Sequence, residues 1–169
     1  LIWYTKIDCC TFFIYSQDTT LCQKSNNFFS ESEKEIIASA IKAAERSTSG
    51  EVRVFVESKC RFMNALDRAA EVFGELNMHQ TMQRNGVLVY IALKDRQLAV
   101  FGDEGIHQKV EPEFWNTAVK DMLQYFNKEN YAQGIAEVII KIGNALKQHF
   151  PYDEKSDTNE LSDEVVFGR

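Results

Sequence analysis

Three short β-type stretches, and the unequal gaps between them, restrict this chain to few folds. EVRVFVE (51–57) places apolar side chains at Val52, Val54 and Val56, the two-residue period of a strand with one face on a core. VLVYIAL (87–93) is almost continuously apolar, as a strand covered on both faces must be. QLAVF (97–101) follows after only Lys94-Asp95-Arg96. The long first gap has room for a crossover helix, whereas the second admits only a hairpin turn. The first two strands are therefore expected to be parallel, in a right-handed βαβ unit, with the third returning antiparallel.

Helical patterns fill the rest. Ser30, with Phe29 before it and Glu33 three residues on, forms a capping box with a hydrophobic staple. Ile36, Ile37, Ala40, Ile41 and Ala44 then recur at helical spacing, and STSG (47–50) ends the helix. Residues 64–78 present Ala69, Val72, Phe73 and Leu76 on one face. A short helical turn is expected from Asp103 to about Val110. Pro112 opens a helix that buries Trp115, Val119, Met122, Leu123 and Phe126. Residues 131–150 bury Ile135, Val138, Ile139, Ile142 and Leu146, and Pro151 stops them. The order predicts a Rossmann-like three-layer α/β/α sandwich with a small mixed central sheet. The domain is expected to span 28–151, followed by an acidic tail, 152–169, with an edge strand at 164–167.

Residues 1–27 carry Cys9, Cys10 and Cys22 but no helical or strand period. They are read as a disordered extension outside the fold. Their longest apolar stretch, 9–15, is far too short to span a bilayer. They lack the basic n-region and small-residue cleavage site of a signal peptide. The expectation is a cytoplasmic monomer without a membrane span, with export left open.

Charge narrows the partners. Nineteen Lys and Arg stand against 25 Asp and Glu, giving a net charge of −6 and a pI near 5.1. No basic stripe is present to bind nucleic acid. Divalent cations or another protein suit the balance better. Neither a CxxC nor a zinc-type Cys/His spacing occurs, and GxSxG, phosphate-loop, HExxH and EF-hand patterns are absent. Cys60 has no Arg six residues downstream, which rules out a cysteine-dependent phosphatase loop, and no DxD pair exists.

Strand directions bring three polar loops together. If Leu93 pairs with Gln97, Val87 faces Asp103 and Asn85 faces Gly105. SGE (49–51), RNG (84–86) and GDEG (102–105) then share one sheet edge. Gly50, Gly86, Gly102 and Gly105 permit close backbone approach or positive φ. Glu51, Asn85, Asp103 and Glu104 supply carboxylate and amide oxygens suited to a hard cation, calcium (Ca2+) before magnesium (Mg2+), held weakly at roughly 0.1–1 mM. A bland alternative stands beside this one. Asp103 would only cap a helix, Asn85-Gly86 would only turn the chain, and Glu51 would be an exposed strand-start residue paired with Arg84 or Arg53. A hydrolase would need a metal-bound water, with Asp103 or Glu104 as ligand or base and Arg84 on phosphate.

The segments TSGEVRVFVE (48–57), RNGVLVYIAL (84–93) and FGDEGI (101–106), with the W…V…M…F pattern of 115–126 and NELSDE (159–164), resemble the TPM domain family. That family includes thylakoid-lumen proteins of photosystem II repair and a levamisole-receptor auxiliary protein. The resemblance covers about 29–168. It implies a Rossmann-like sandwich with a polar, often calcium-binding site on loops at one end of the sheet. Carried over by position, the metal site would take Asn85, Gly102, Asp103 and Glu104, with Glu51 at a position that varies. With no catalytic nucleophile pattern in the chain, the expectation is a stand-alone, non-catalytic cation-binding module for protein interaction or maintenance. The alternative is a metal-dependent acid phosphatase using Asp103, Glu104 and Arg84, an activity attributed to the plant lumenal branch.

Overall fold

A computed structural model describes residues 28–60, 63–152 and 165–168. The readings made of 1–27 and of 153–164 lie outside the described residues. Helix α1 (Glu31–Glu45) starts as the sequence requires. The Ser30 side chain accepts from the Glu33 N–H, and the Glu33 carboxylate accepts from the Ser30 N–H at 2.8 Å. Ile37, Ala40, Ile41 and Ala44 form its buried stripe, but Ile36 is 43% exposed. Ile36 lies about 100° around the helix from Ile37, just off the covered face.

Strand β1 (Val52–Glu57), helix α2 (Ala65–Glu75) and strand β2 (Val87–Ala92) make the βαβ unit, with Val52 opposite Val87 in a parallel ladder. Strand β3 (Gln97–Gly102) returns antiparallel to β2. Helices α3 (Glu104–His107), α4 (Pro112–Phe126) and α5 (Tyr131–His149) precede the two-residue strand β4 (Val166–Phe167), which runs parallel to β1. The sheet order is β3-β2-β1-β4. Val52, Val54, Val56, Val87, Val89, Ile91 and Val100 pack into the core shared with α1, α4 and α5. Phe55, Leu88, Tyr90, Ala92 and Ala99 pack with α2 through Ala69, Val72 and Phe73. These two cores give the three layers.

Two expectations are corrected. Helix α2 stops at Glu75 rather than running to 78, because Asn77 adopts φ 55° and starts a 3-10 turn, Met78–Gln80. The hairpin is also shifted by one residue. Ala92 pairs with Gln97 and Val87 with Gly102, not with Asp103. Leu93 leaves the ladder to join a four-residue loop, in which the Arg96 N–H donates to the Leu93 carbonyl at 3.3 Å and Arg96 has φ 52°. A one-residue slip exchanges the faces of a strand.

The core on the α2 side encloses a polar group at the end of β1. Glu57 is 4% exposed and accepts from Arg68 Nε at 3.2 Å, from Arg68 Nη2 at 3.4 Å and from the Tyr90 hydroxyl. Burial pushes the Tyr90 hydroxyl and the Cys60 thiol above their ordinary values. A raised folded-state pKa means that stability is intact below the unfolded value and is lost as pH rises beyond it. Denaturant unfolding should therefore show stability falling above about pH 9, and further above about pH 10, with Tyr90→Phe flattening the upper part. A wild-type profile level from about pH 8 to about pH 11 would contradict this.

Candidate functional site

Three loops meet at the edge where β1 and β2 begin. The first is held from behind by the end of α5. Thr48 Oγ1 and the Ser49 N–H both donate to the Phe150 carbonyl, and the Gly50 N–H donates to Thr48 Oγ1. Leu146 lies so close to Gly50 that a Cβ there would stand 2.7 Å from Leu146 Cδ2. This fixes the Ser49 carbonyl, which accepts from Asn85 Nδ2 at 3.1 Å. The Asn85 backbone N–H donates to Thr81 Oγ1 at 3.2 Å, so the residue is tied to the first loop by its side chain and to its own loop by its backbone. Gln83 Nε2 adds a bond to Ser49 Oγ at 3.1 Å.

The third loop closes on the second through backbone and side chain together. The Asp103 N–H donates to the Gly86 carbonyl at 2.9 Å, and the Gly105 N–H donates to the Arg84 carbonyl at 2.8 Å. Arg84 forks onto Asp103, Nε to Oδ2 at 2.7 Å and Nη2 to Oδ1 at 2.8 Å. The hydrogen bonds and charge of Asp103 raise the Arg84 pKa above its ordinary value. Asp103 is 5% exposed, whereas the Arg84 side chain is 49% exposed. Gly102 and Gly105 are required for close approach, not for positive φ, which no glycine among the described residues adopts. A Cβ at Gly102 would stand 2.5 Å from Trp115 Cη2.

Asn85, Gly102, Asp103 and Glu104 thus lie on loops in mutual contact. The predicted Asn85–Gly105 pairing is replaced by Arg84 against Gly105, a result of the register shift. Glu51 is buried rather than an exposed strand-start residue, and its carbonyl accepts from the Val87 N–H at 2.8 Å. Glu104 is exposed and accepts from Gln108 Nε2. Among the described residues no group of three His, Cys, Asp or Glu side chains is placed to hold a metal ion. The three carboxylates, Glu51, Asp103 and Glu104, therefore do not form a cage. A cation held here would take most of its oxygens from amide, hydroxyl and backbone groups.

Asp103 also caps α3, accepting from the Glu104 N–H at 2.8 Å. Capping leaves one group unexplained. Three buried side-chain polar atoms among the described residues have no hydrogen-bond partner: Arg53 Nε, Trp115 Nε1 and Asn85 Oδ1. The first two are donors. Asn85 Oδ1 is an acceptor on a side chain 1% exposed, and the bond from Nδ2 to the Ser49 carbonyl fixes which amide atom is the oxygen. A buried acceptor without a donor is costly and rare. Sequence reading missed Ser49 and Thr81. Ser49 was within a loop already placed at this edge, but Thr81 gave no signal, since its role depends on the 3-10 turn beside it.

Fold and loop edge together define a Rossmann-like α/β/α domain with its polar cluster where the parallel strands start, opposite the crevice that nucleotide-binding sheets use. The chain belongs to the TPM domain family, whose model matches residues 23–145. It is similar to the BA42 protein of the psychrophilic bacterium Bizionia argentinensis, with 36% identity and a TM-score of 0.79, covering 86% of this chain and 99% of that one. The N-terminal domain of the cg2496 protein of Corynebacterium glutamicum shares the fold, with 13% identity and a TM-score of 0.59 over 89% of this chain and 93% of that one. Comparison with curated proteins gave no match. Among the described residues no helix is long and apolar enough to cross a membrane.

Proposed function

We propose that this domain binds a divalent cation weakly, calcium before magnesium, and works by contacting another protein rather than by catalysis. The observation that carries this reading is the buried, donor-free Asn85 Oδ1, flanked in the chain by Arg84 and Gly86, both of which bond Asp103. A neutral amide oxygen that no donor satisfies suits a hard cation. Asp103 would supply the charge, with Glu104 and the backbone of Gly102 at the rim. Glu51 contributes through its place in the first loop. So few carboxylates set the affinity on the order of 0.1–1 mM. The chemistry such an ion supplies here is neutralisation of Asp103 and closure of three loops around one centre.

A calcium titration followed by backbone NMR tests the reading. Resonances of 49–51, 84–86 and 102–106 should move together, and Asp103→Asn should weaken binding at least about tenfold. Calcium shifts scattered over the surface, or unchanged by Asp103→Asn, would refute it. Turnover of an aryl phosphate that Asp103→Asn abolishes would favour the acid phosphatase instead. Against that alternative, the guanidinium needed for phosphate is engaged by both Asp103 oxygens.

A further inference from the structure

We propose that Arg84 is a built-in competitor for the cation site: its side chain holds Asp103 when the ion is absent and is displaced when the ion binds. The inference rests on the cation reading above and concerns how that site is regulated. Both Asp103 oxygens are engaged by the Arg84 fork, and Oδ1 also accepts from the Glu104 N–H. An ion that takes Asp103 as a ligand therefore competes with the guanidinium for the same two oxygens, and repulsion between the two positive charges favours the guanidinium leaving.

The structure separates what must move from what must stay. The Arg84 side chain is half-exposed, so it can leave into water. Its backbone is pinned, with its N–H on the Thr81 carbonyl at 3.1 Å and its own carbonyl accepting from Gly105 at 2.8 Å. The loop keeps its path while the fork opens. The fork alone does not complete the oxygen set either, because Asn85 Oδ1 still lacks a donor. Arg84 substitutes for the ion's charge but not for its coordination. When the ion enters, the outer surface gains a free guanidinium beside the exposed Met82 and Gln83.

The test uses the full chain with calcium alone as the probe. Arg84→Gln should bind calcium roughly five- to tenfold more tightly than wild type, with Arg84→Lys in between because it keeps the charge but loses the fork. Arg84→Asn repeats the test with a side chain that tolerates the left-handed backbone (φ 53°) of this position. In wild type, the Arg84 Nε–H resonance should exchange slowly with water without calcium and rapidly at saturation. Unchanged affinity in Arg84→Gln and Arg84→Asn, or an Nε–H that stays protected at saturating calcium, overturns the displacement while leaving the cation site intact. Absence of binding in every variant removes the cation reading itself, and this inference with it.

Discussion

Arg68→Ala lowers the stability of this domain by about 3 kcal/mol and its Tm by about 10 °C, the low end of the range for stranding a buried charge. Glu57 sits at the last position of β1, enclosed by α2, and its carboxylate is shared between the Arg68 fork and the Tyr90 hydroxyl. Without the guanidinium, one neutral donor is left to hold a buried anion. Arg68 is itself 21% exposed, so water reaches the vacated space and limits the loss. Its guanidinium also lies 6.0 Å from the centre of the Phe55 ring and bonds Glu71 at 3.0 Å, contacts that contribute less. Adding Glu57→Gln to Arg68→Ala should recover part of the loss. Urea melts of the wild type and the two variants measure the loss and the recovery. A deficit below about 1 kcal/mol, or no recovery in the double variant, would show that the pair acts as an ordinary surface bridge.

Gly105→Ala costs about 2–3 kcal/mol and disturbs the loop edge at its most constrained point. The added methyl would collide with the Gln83 carbonyl oxygen and lie 2.7 Å from that of Arg84. Both obstacles are backbone, so no side chain can rotate to relieve them. The two loops must separate, which lengthens the 2.8 Å bond from Gly105 to Arg84 and draws Asp103 away from its partners. Gly74 is the matched control. It lies in α2 with nothing within 4 Å of an added Cβ, and Gly74→Ala should stabilise by roughly 0.5–1 kcal/mol through helix propensity. Thermal melts of the two variants should shift in opposite directions. Shifts of the same sign would mean that the loop edge is looser than the contacts imply.

Much of this architecture is legible in the sequence because the governing signals are local. Ser30 and Glu33 announce a helix start within four residues, and Val52, Val54 and Val56 announce a strand by period alone. The hairpin register was not legible. Its loop turns on Arg96 at φ 52°, and the other non-glycine residues with positive φ among those described are Asn77, Arg84 and Glu129. Only asparagine of these types commonly signals a left-handed turn. Leu93, an apolar residue at the end of an apolar run, therefore reads as strand while serving as loop. Convergence of the three polar loops survived the error, since it depends on strand direction rather than register. Pairings within the cluster did not survive it. The Glu57–Arg68–Tyr90 group was missed for a different reason. Period-two reading gave a core role only to Val52, Val54 and Val56, and said nothing of Phe55 and Glu57, which the βαβ crossover buries under α2.

The stretch that family similarity recognises stops at residue 145, yet the mechanical unit of the molecule runs further. Leu146 fills the space behind Gly50, and Phe150 anchors Thr48 across 102 positions of chain. Trimming an expression fragment to the recognised boundary would knock out this buttress and slacken a loop that lies far earlier in the chain. What is inherited as a signature and what folds as a whole have different lengths here, and the difference lies in the last turn of one helix.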